Sequence, residues 1–425
     1  MKVAPAGRAW ALAHPLGLEP GKAPASTFRA AVANEPRATT TTQLQRRRIQ
    51  QVATVYHGRQ IEPYRLGVLI DLPEHEGLSD CWPDAIRFAC EEVQARGLLE
   101  RPVELVVREV YAQPWASAHE LIRTYRELVE DAGVLGVIGP YTTDNCLSLL
   151  PEIERLQVPT ATICGSTRFA GEYAYAFANG GLADEPGVIA AWLQANGHRR
   201  VAVLRERTQI GEEYAQFFRN ELQPHDLVVT AEPPVYPATS VDELVEALNI
   251  CRDSKPDALV YLGLGGVNQW VRPALEQIGW DPPRVQTTAF VSATYSEQRA
   301  RRLEGWVGVD QYDERNEVFA AVLRRFHDRF GYSYATSGLS TGYDLGHAFA
   351  LGLGRMRLAT PTGLRDALDT VRRIPSCTGG PGTIITLGPS DRRAYKGADF
   401  LILRRASDGK TTFESVAPVT PWQQP

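Results

Sequence analysis

Short apolar runs alternate with amphipathic helical patterns along most of this chain, and the alternation starts a second time after residue 180. The first apolar run spans 65–70, and the helical pattern after it places Ile86, Ala89 and Val93 on one face. Strict alternation of strands and helices is typical of a doubly wound parallel sheet, whose buried strands are almost continuously apolar. Because the series occurs twice, we predict an α/β protein with two Rossmann-like lobes joined by hinge strands.

Each predicted lobe contains two segments of the chain. Two further apolar runs, 382–387 and 400–404, follow the second series and are separated by a turn-forming cluster. The residues before the first strand are rich in Ala, Pro and Arg, and we expect them to form a poorly ordered leader. The predicted boundaries are 1–63 for the leader, 64–180 plus 311–375 for lobe one, 181–310 plus 376–417 for lobe two, and 418–425 for a tail.

Charge is unevenly distributed along the chain. The formal net charge is −5, and residues 1–63 contain nine Lys or Arg and three acids, which gives +6 there and leaves −11 for the rest. A net negative charge does not favour nucleic acid, and we expect no such partner. The basic leader is either a solvated linker or an arm that docks on an acidic partner.

No run of 18 apolar residues occurs, so we predict no membrane-spanning segment. The nearest approach to the apolar part of a secretory signal, 9–13, is cut short by His14 and Pro15, and no cysteine precedes Cys81 to carry a lipid anchor. The chain as written is therefore expected in the cytoplasm, and in the periplasm or outside the cell if another route exports it. The six cysteines are scattered, which fits buried thiols or one or two disulfides and predicts no metal site.

Four short sequence motifs occur along the chain, and their order is informative. They are Gly-Pro-Tyr-Thr-Thr at 139–143, Val-Pro at 158–159 with Gly-Ser-Thr at 165–167, Tyr-Asp at 343–344, and the glycine-rich turn at 379–382. In these motifs and in the order of its strands and helices, the chain resembles the branched-chain amino-acid and amide (Leu/Ile/Val-binding-like) solute-binding proteins. The resemblance extends from about Tyr64 to about Lys410. That resemblance implies the type I periplasmic-binding fold, a two-lobed clamp around a small molecule.

Two hydroxyls lie where such a sheet binds ligands. Thr143 and Ser166 come just after apolar strands, each close to the expected start of a helix, and ligands bind at the carboxyl ends of parallel strands. The alternative is that both hydroxyls only cap their helices. The resemblance implies that Thr143 and Ser166 hold the polar head of the ligand and that Gly165 contributes backbone. Tyr141 is similar to a tyrosine of the amide-sensing branch.

Lobe two departs from the amino-acid binders. Gln209 and Ile210 stand where the family has a tyrosine that covers the ligand, the loop containing Leu264 lacks an aromatic residue, and the acid that pairs with the ligand's ammonium is replaced near Phe290. A buried ammonium without a counter-charge costs several kcal/mol. These four residues are therefore predicted to contact an amide, a small carboxylate or another less polar molecule rather than a free α-amino acid.

One catalytic motif occurs, and its context argues against it. The sequence 338–342 matches the G-x-S-x-G nucleophile elbow, but a turn-rich segment precedes it and His347 follows barely two turns later. Ser340 or Thr341 is expected to cap the following helix instead. We predict no catalytic residue, no metal ligand and no cofactor, and therefore no enzyme.

These features predict a solute-binding receptor for an ABC-type uptake system that closes on a small polar ligand and meets a membrane permease. The alternative is a cytosolic ligand sensor of the amide-regulator type, in which closure changes contact with a regulatory protein. Both interpretations require the same two-lobed closure and the same ligand-binding residues.

Overall fold

The structure, a computed structural model, describes residues 55–56, 59–71, 78–178, 180–333, 336–397 and 401–416. The predicted tail, 418–425, and the predicted leader apart from 55–56 and 59–63 lie outside these ranges. The described part of the leader contains a short antiparallel pair, Val55–Tyr56 with Arg59–Gln60. From Glu62 onward the chain forms one compact unit.

Helices and strands alternate along most of this unit up to residue 310, and three consecutive helices and then five consecutive strands follow. One π-helical turn and one 3-10 helix occur among the described elements. In chain order they are β1 (Tyr64–Ile70), α1 (Leu78–Ala95), β2 (Val103–Glu109), α2 (Ala118–Arg126, extended by a π-helical turn at Glu127–Asp131), β3 (Gly136–Ile138), α3 (Thr143–Leu156), β4 (Thr160–Thr162), β5 (Ala174–Ala176), α4 (Glu185–Ala195), β6 (Arg200–Glu206), α5 (Gln209–Leu222), β7 (Val228–Ala231), β8 (Pro234–Val235), α6 (Val241–Asp253), β9 (Ala258–Leu262), α7 (Asn268–Ile278), β10 (Arg284–Gln286), the 3-10 helix Thr288–Thr294, α8 (Glu297–Arg302), β11 (Trp306–Asp310), α9 (Glu317–Phe330), α10 (Ser337–Arg355), α11 (Pro361–Leu368), β12 (Ile374–Pro375), β13 (Ile384–Ile385), β14 (Tyr395–Lys396), β15 (Ile402–Ser407) and β16 (Lys410–Val416).

The first sheet is parallel throughout, in the order β2-β1-β3-β4-β5. Strand β1 is central, and alternate residues enter two different hydrophobic clusters: Leu66 and Val68 pack on one side, and Leu69 packs on the other. A strand buried on both faces must be apolar at nearly every position, which is why this segment is a continuous apolar run in the sequence. Helices therefore cover both faces of the sheet.

The second sheet has the order β8-β6-β9-β10-β11-β15-β16, with β7 also paired to β6. Strands β6 to β11 are parallel, and β15 and β16 complete the edge as antiparallel strands. Val201 and Val203 enter one core cluster, and Ala202 and Leu204 enter another. The prediction of two doubly wound sheets, each with its own core, is confirmed.

The C-terminal segment differs from the predicted division between lobes. We assigned residues 376–417 to lobe two, but Ile385, Leu387 and Ala394 lie in the core of the first sheet. Strands β12, β13 and β14 form a small antiparallel sheet there, and the chain joins the second sheet only at β15. These side chains pack with Leu364 and Leu368 of α11, a long-range contact that strand and turn patterns do not encode.

Several local features were missed or misplaced. Strands β5 and β10 have three residues each and were not predicted, because so short a run carries no periodic signal. Helix α10 begins before Ser340 and Thr341, and the hydroxyl of Thr336 caps it by accepting from the N–H of Leu339, so the predicted caps were wrong. All six cysteines are buried thiols.

Within the described ranges, no helix is long and apolar enough to cross a membrane. The same residues contain no group of three or more His, Cys, Asp or Glu side chains arranged to hold a metal ion.

Candidate functional site

Loops at the carboxyl ends of strands from both sheets meet at one place. The loop after β3 leads into α3, the loop after β4 contains Gly165 and Ser166, and the loop after β6 leads into α5. Hydrogen bonds join the first two elements to the third, as detailed below. We call this region the cleft, and its position at the strand ends is where open α/β sheets bind ligands.

Thr143 is the first residue of α3 and is almost fully buried. Its hydroxyl accepts a hydrogen bond from the N–H of Gly165, with 3.2 Å between nitrogen and oxygen. The capping position belongs to Thr142, whose side chain makes no capping bond. Thr143 therefore fixes the loop after β4 against α3, and this bond brings two of the predicted site residues into direct contact.

Ser166 is completely buried, and its hydroxyl bridges two parts of the cleft. The Oγ donates to the carboxylate of Glu213 on α5, at 2.9 Å from Oε1 and 2.7 Å from Oε2, and accepts from the N–H of Arg168 at 3.1 Å. The expectation that Ser166 precedes a helix is wrong, since the next regular element is β5. Arg168 completes the group through an ion pair to Glu213, with 3.2 Å between Nε and Oε2.

Asp144 makes the second connection between the sheets. Its carboxylate accepts from the backbone N–H groups of Ile210, at 3.1 Å, and Gln209, at 3.3 Å, which are the first residues of α5. A negative charge at a helix N-terminus is favourable because the free N–H groups there carry positive partial charge. Burial of the carboxyl raises the pKa of Asp144 to about 6, although these two N–H groups oppose the shift.

Asp71, at the end of β1, shapes the loop that carries Tyr141. Its buried carboxylate accepts from the N–H of Tyr141 at 2.6 Å, from the N–H of Thr142 at 2.9 Å and from Nδ2 of Asn145 at 2.8 Å. Burial raises the pKa of Asp71, and these three donors act in the opposite direction. The loop is therefore positioned by one carboxylate that the sequence analysis did not select.

Aromatic and polar groups surround this loop. The ring of Tyr141 is half-buried and meets the ring of Trp82 edge to face, with 6.2 Å between centroids. The indole nitrogen of Trp82 is buried and has no hydrogen-bond partner within the described part of the chain. This polar group beside Tyr141 thus remains able to bond an additional group.

The remaining predicted residues lie in different surroundings. Gln209 is exposed and Ile210 is buried at the start of α5, where both backbones contact Asp144. Leu264 is half-buried and packs on the same core cluster as Ile210. Phe290 is fully buried in the cluster on the other face of the second sheet. The structure therefore brings Gln209 and Ile210 to the residues of the first sheet, whereas Phe290 is a core side chain.

Two buried acids of the second sheet position its loops. Glu206 accepts from the N–H groups of Gly265 and Gly266, at 3.0 and 3.2 Å, and thereby shapes the loop that contains Leu264. Glu185 accepts from the hydroxyl of Tyr214 at 2.8 Å, and burial raises its pKa to about 7. Glu206 is the last residue of β6 and Glu185 is the first residue of α4, but nothing in their spacing distinguishes them from solvated surface acids.

Comparison with protein families decides the identity of the fold. The sequence profile of the periplasmic binding protein family matches residues 63–408. The chain belongs to this family. The match starts beside β1 and ends between β15 and β16, so it covers both sheets of this periplasmic binding protein apart from the edge strand β16. A comparison by sequence with curated proteins finds no match.

Solved structures support the same fold at low sequence identity. An ABC transporter substrate-binding protein from Desulfitobacterium hafniense, crystallised in complex with Leu, is 15% identical with a TM-score of 0.69. A type 1 periplasmic binding protein from Bordetella pertussis is 14% identical with a TM-score of 0.71. A protein from Rhodospirillum rubrum, described as a putative branched-chain amino acid ABC transporter, is 20% identical with a TM-score of 0.59. Each alignment covers 83% of this chain and 100% of the other, so the type I fold predicted from the sequence is confirmed.

Proposed function

We propose that this periplasmic binding protein is a receptor that closes its cleft on a small polar molecule and delivers it to an ABC-type permease. One observation supports the proposal most directly. Hydrogen bonds of Asp144 on α3 and of Ser166 in the loop after β4 join both elements to α5, which contains Glu213. A ligand at this position contacts groups from both sheets, so it can favour the closed arrangement by binding it more tightly than the open one.

The proposed ligand is an amide, a small carboxylate or an amino-acid-like compound. The relative from Desulfitobacterium hafniense was crystallised with leucine, and other structures of similar fold are described as binding isoleucine or valine. In this chain the cleft combines hydroxyls, backbone N–H groups and the half-buried Tyr141 with the apolar Ile210. Such a mixture suits a ligand with one polar end and a short apolar body. The alternative function is a cytosolic ligand sensor, in which closure on the ligand changes contact with a regulatory protein.

A thermal-shift screen tests the receptor proposal. We expect at least one small amide, amine, carboxylate or amino acid to stabilise the purified chain by about 2.7 kcal/mol at a ligand concentration 100 times its dissociation constant. Native mass spectrometry of the same preparation should detect that compound bound with one-to-one stoichiometry. A library of these classes that produces no shift and no bound species would contradict the proposal.

A further inference from the structure

Two carboxylates from opposite sides of the cleft interact with one another, and one of them bonds the hydroxyl of Ser166. Asp144 comes from α3 and Glu213 from α5, and both side chains are more than nine-tenths buried. Glu213 accepts from the Ser166 hydroxyl through both of its oxygens, at 2.9 and 2.7 Å. The hydroxyl predicted to hold the ligand's polar head therefore already donates to an acid of the chain itself.

The two arginines near Ser166, Arg168 and Arg393, do not make the net charge around its hydroxyl positive. Arg168 contacts Glu213 through Nε, but its side chain is 55% exposed and its charge is screened by solvent. Arg393 donates to the backbone carbonyl of Ser166 at 3.2 Å, and the carboxyl of Asp184 faces the same guanidinium. These two charges offset one another. The two buried acids are thus matched by one half-exposed arginine.

The electrostatics of Asp144 agree with this charge balance. Burial is the main cause that raises the pKa of Asp144, and the charge of Glu213 acts in the same direction. A further carboxylate brought to Ser166 would face Glu213 directly and would add to the negative charge of Asp144, in a region with little water. Like charges placed together in this way oppose binding.

We propose that Glu213 determines ligand selectivity, so that the cleft accepts a primary amide as the head group and discriminates against a free carboxylate. The inference rests on the receptor function proposed above. The carbonyl oxygen of a primary amide accepts the Ser166 hydroxyl proton in place of Glu213, and the NH₂ group of the amide then donates to the Glu213 carboxylate. A carboxylate offers only acceptors, so it takes the Ser166 proton without returning a donor to Glu213, and it adds repulsion.

The neighbouring residue provides a matched control. Glu212 lies on the same turn of α5, but its side chain is 53% exposed and pairs with Arg205 away from Ser166. Replacing either glutamate by glutamine removes one negative charge from the same helix with almost no change in size. Only the change at residue 213 alters the group that faces the Ser166 hydroxyl.

The test compares acids and amides with one carbon skeleton. Leucine, leucinamide, 4-methylpentanoate and 4-methylpentanamide are titrated by calorimetry into the full chain and into the Glu213→Gln and Glu212→Gln variants. We expect the unaltered chain to bind each amide at least about tenfold more tightly than the corresponding acid. Glu213→Gln should reduce this ratio by about tenfold or more, and Glu212→Gln should leave it unchanged.

Two results would overturn the selectivity assignment. One is that the unaltered chain binds an acid as tightly as its amide, and the other is that both variants change the ratio equally. In either case a ligand binds, so the receptor function stands while the role of Glu213 fails. If neither these four compounds nor any member of the broader screen binds, the receptor function itself fails and the selectivity assignment fails with it.

Discussion

Replacing Asp71 with alanine is expected to lower the free energy of unfolding by about 3–5 kcal/mol. The carboxylate accepts three hydrogen bonds in a buried position, from the N–H groups of Tyr141 and Thr142 and from the side chain of Asn145. Alanine leaves the N–H groups of Tyr141 and Thr142 without this acceptor, and it removes one of the two hydrogen bonds that the Asn145 amide donates, the other being to the carbonyl of Gln113. Each unsatisfied buried donor costs about 1–3 kcal/mol. The loop that carries Tyr141 should loosen together with the start of α3.

Urea unfolding followed by circular dichroism measures this loss. Asp71→Asn keeps one acceptor oxygen in place and should therefore cost less than Asp71→Ala. Asp253→Ala is the matched control, because this side chain is 70% exposed and pairs with Arg252, which is itself 40% exposed. The control should change stability by less than about 1 kcal/mol. An Asp71→Ala protein as stable as the control would show that Asp71 does not position this loop.

Removing the hydroxyls of Thr143 and Ser166 should have the largest effect on ligand binding. We expect the double substitution Thr143→Ala and Ser166→Ala to weaken ligand binding by about 2–4 kcal/mol, or about 30- to 900-fold in Kd. In the structure these hydroxyls bond the Gly165 amide and the Glu213 carboxylate, so the substitutions also release the two groups that shape the site. Both the ligand contacts and the geometry that presents them are lost.

Calorimetry with a compound identified by the thermal-shift screen measures the effect. The control is Ser148→Ala, also on α3, whose hydroxyl donates to the backbone carbonyl of Asp144 at 2.9 Å. This control should bind within about threefold of the unaltered chain. Equal affinity in the double variant would mean that Thr143 and Ser166 serve only the internal structure of the loops.

The fold was largely predictable because its central strands are buried on both faces. Strands such as β1, β6 and β9 must be apolar along nearly their whole length, and the helices between them must be amphipathic, so the alternation is visible in the sequence. The parts that were missed depend on contacts distant along the chain. Strands β5 and β10 are too short to show a period, and the segment around Ile385 joins the first core through side chains of α11.

The site was predictable only in part, for a similar reason. Strand ends and the resemblance to a known family indicated Thr143, Gly165 and Ser166, which the structure brings together. Asp144 and Glu213 were missed because their partners are 66 and 47 residues away, and no local pattern distinguishes a buried acid from a solvated one. Phe290 was selected from its place in the loop order, but it packs against Gly308 inside the core of the second sheet.

Closure depends on segments that pass between the two sheets. The chain crosses after β5, where it enters α4, again after β11, where it enters α9, and a third time between β14 and β15. The side chain of Gln311 on the second crossing accepts from the N–H of Gly180 on the first, at 2.5 Å. Each sheet retains its own core on either side of these crossings, so rotation about them leaves both cores intact.

Small-angle X-ray scattering with and without ligand tests the central claim that ligand binding closes the two lobes. A ligand that moves the population from 1:99 to 99:1 in favour of closure must prefer the closed state by about 5.5 kcal/mol. We expect a smaller radius of gyration at saturating ligand than in ligand-free protein. The change should be lost in the Thr143→Ala and Ser166→Ala double variant at the same ligand concentration. Superimposable scattering curves for the free and the saturated protein would contradict this claim.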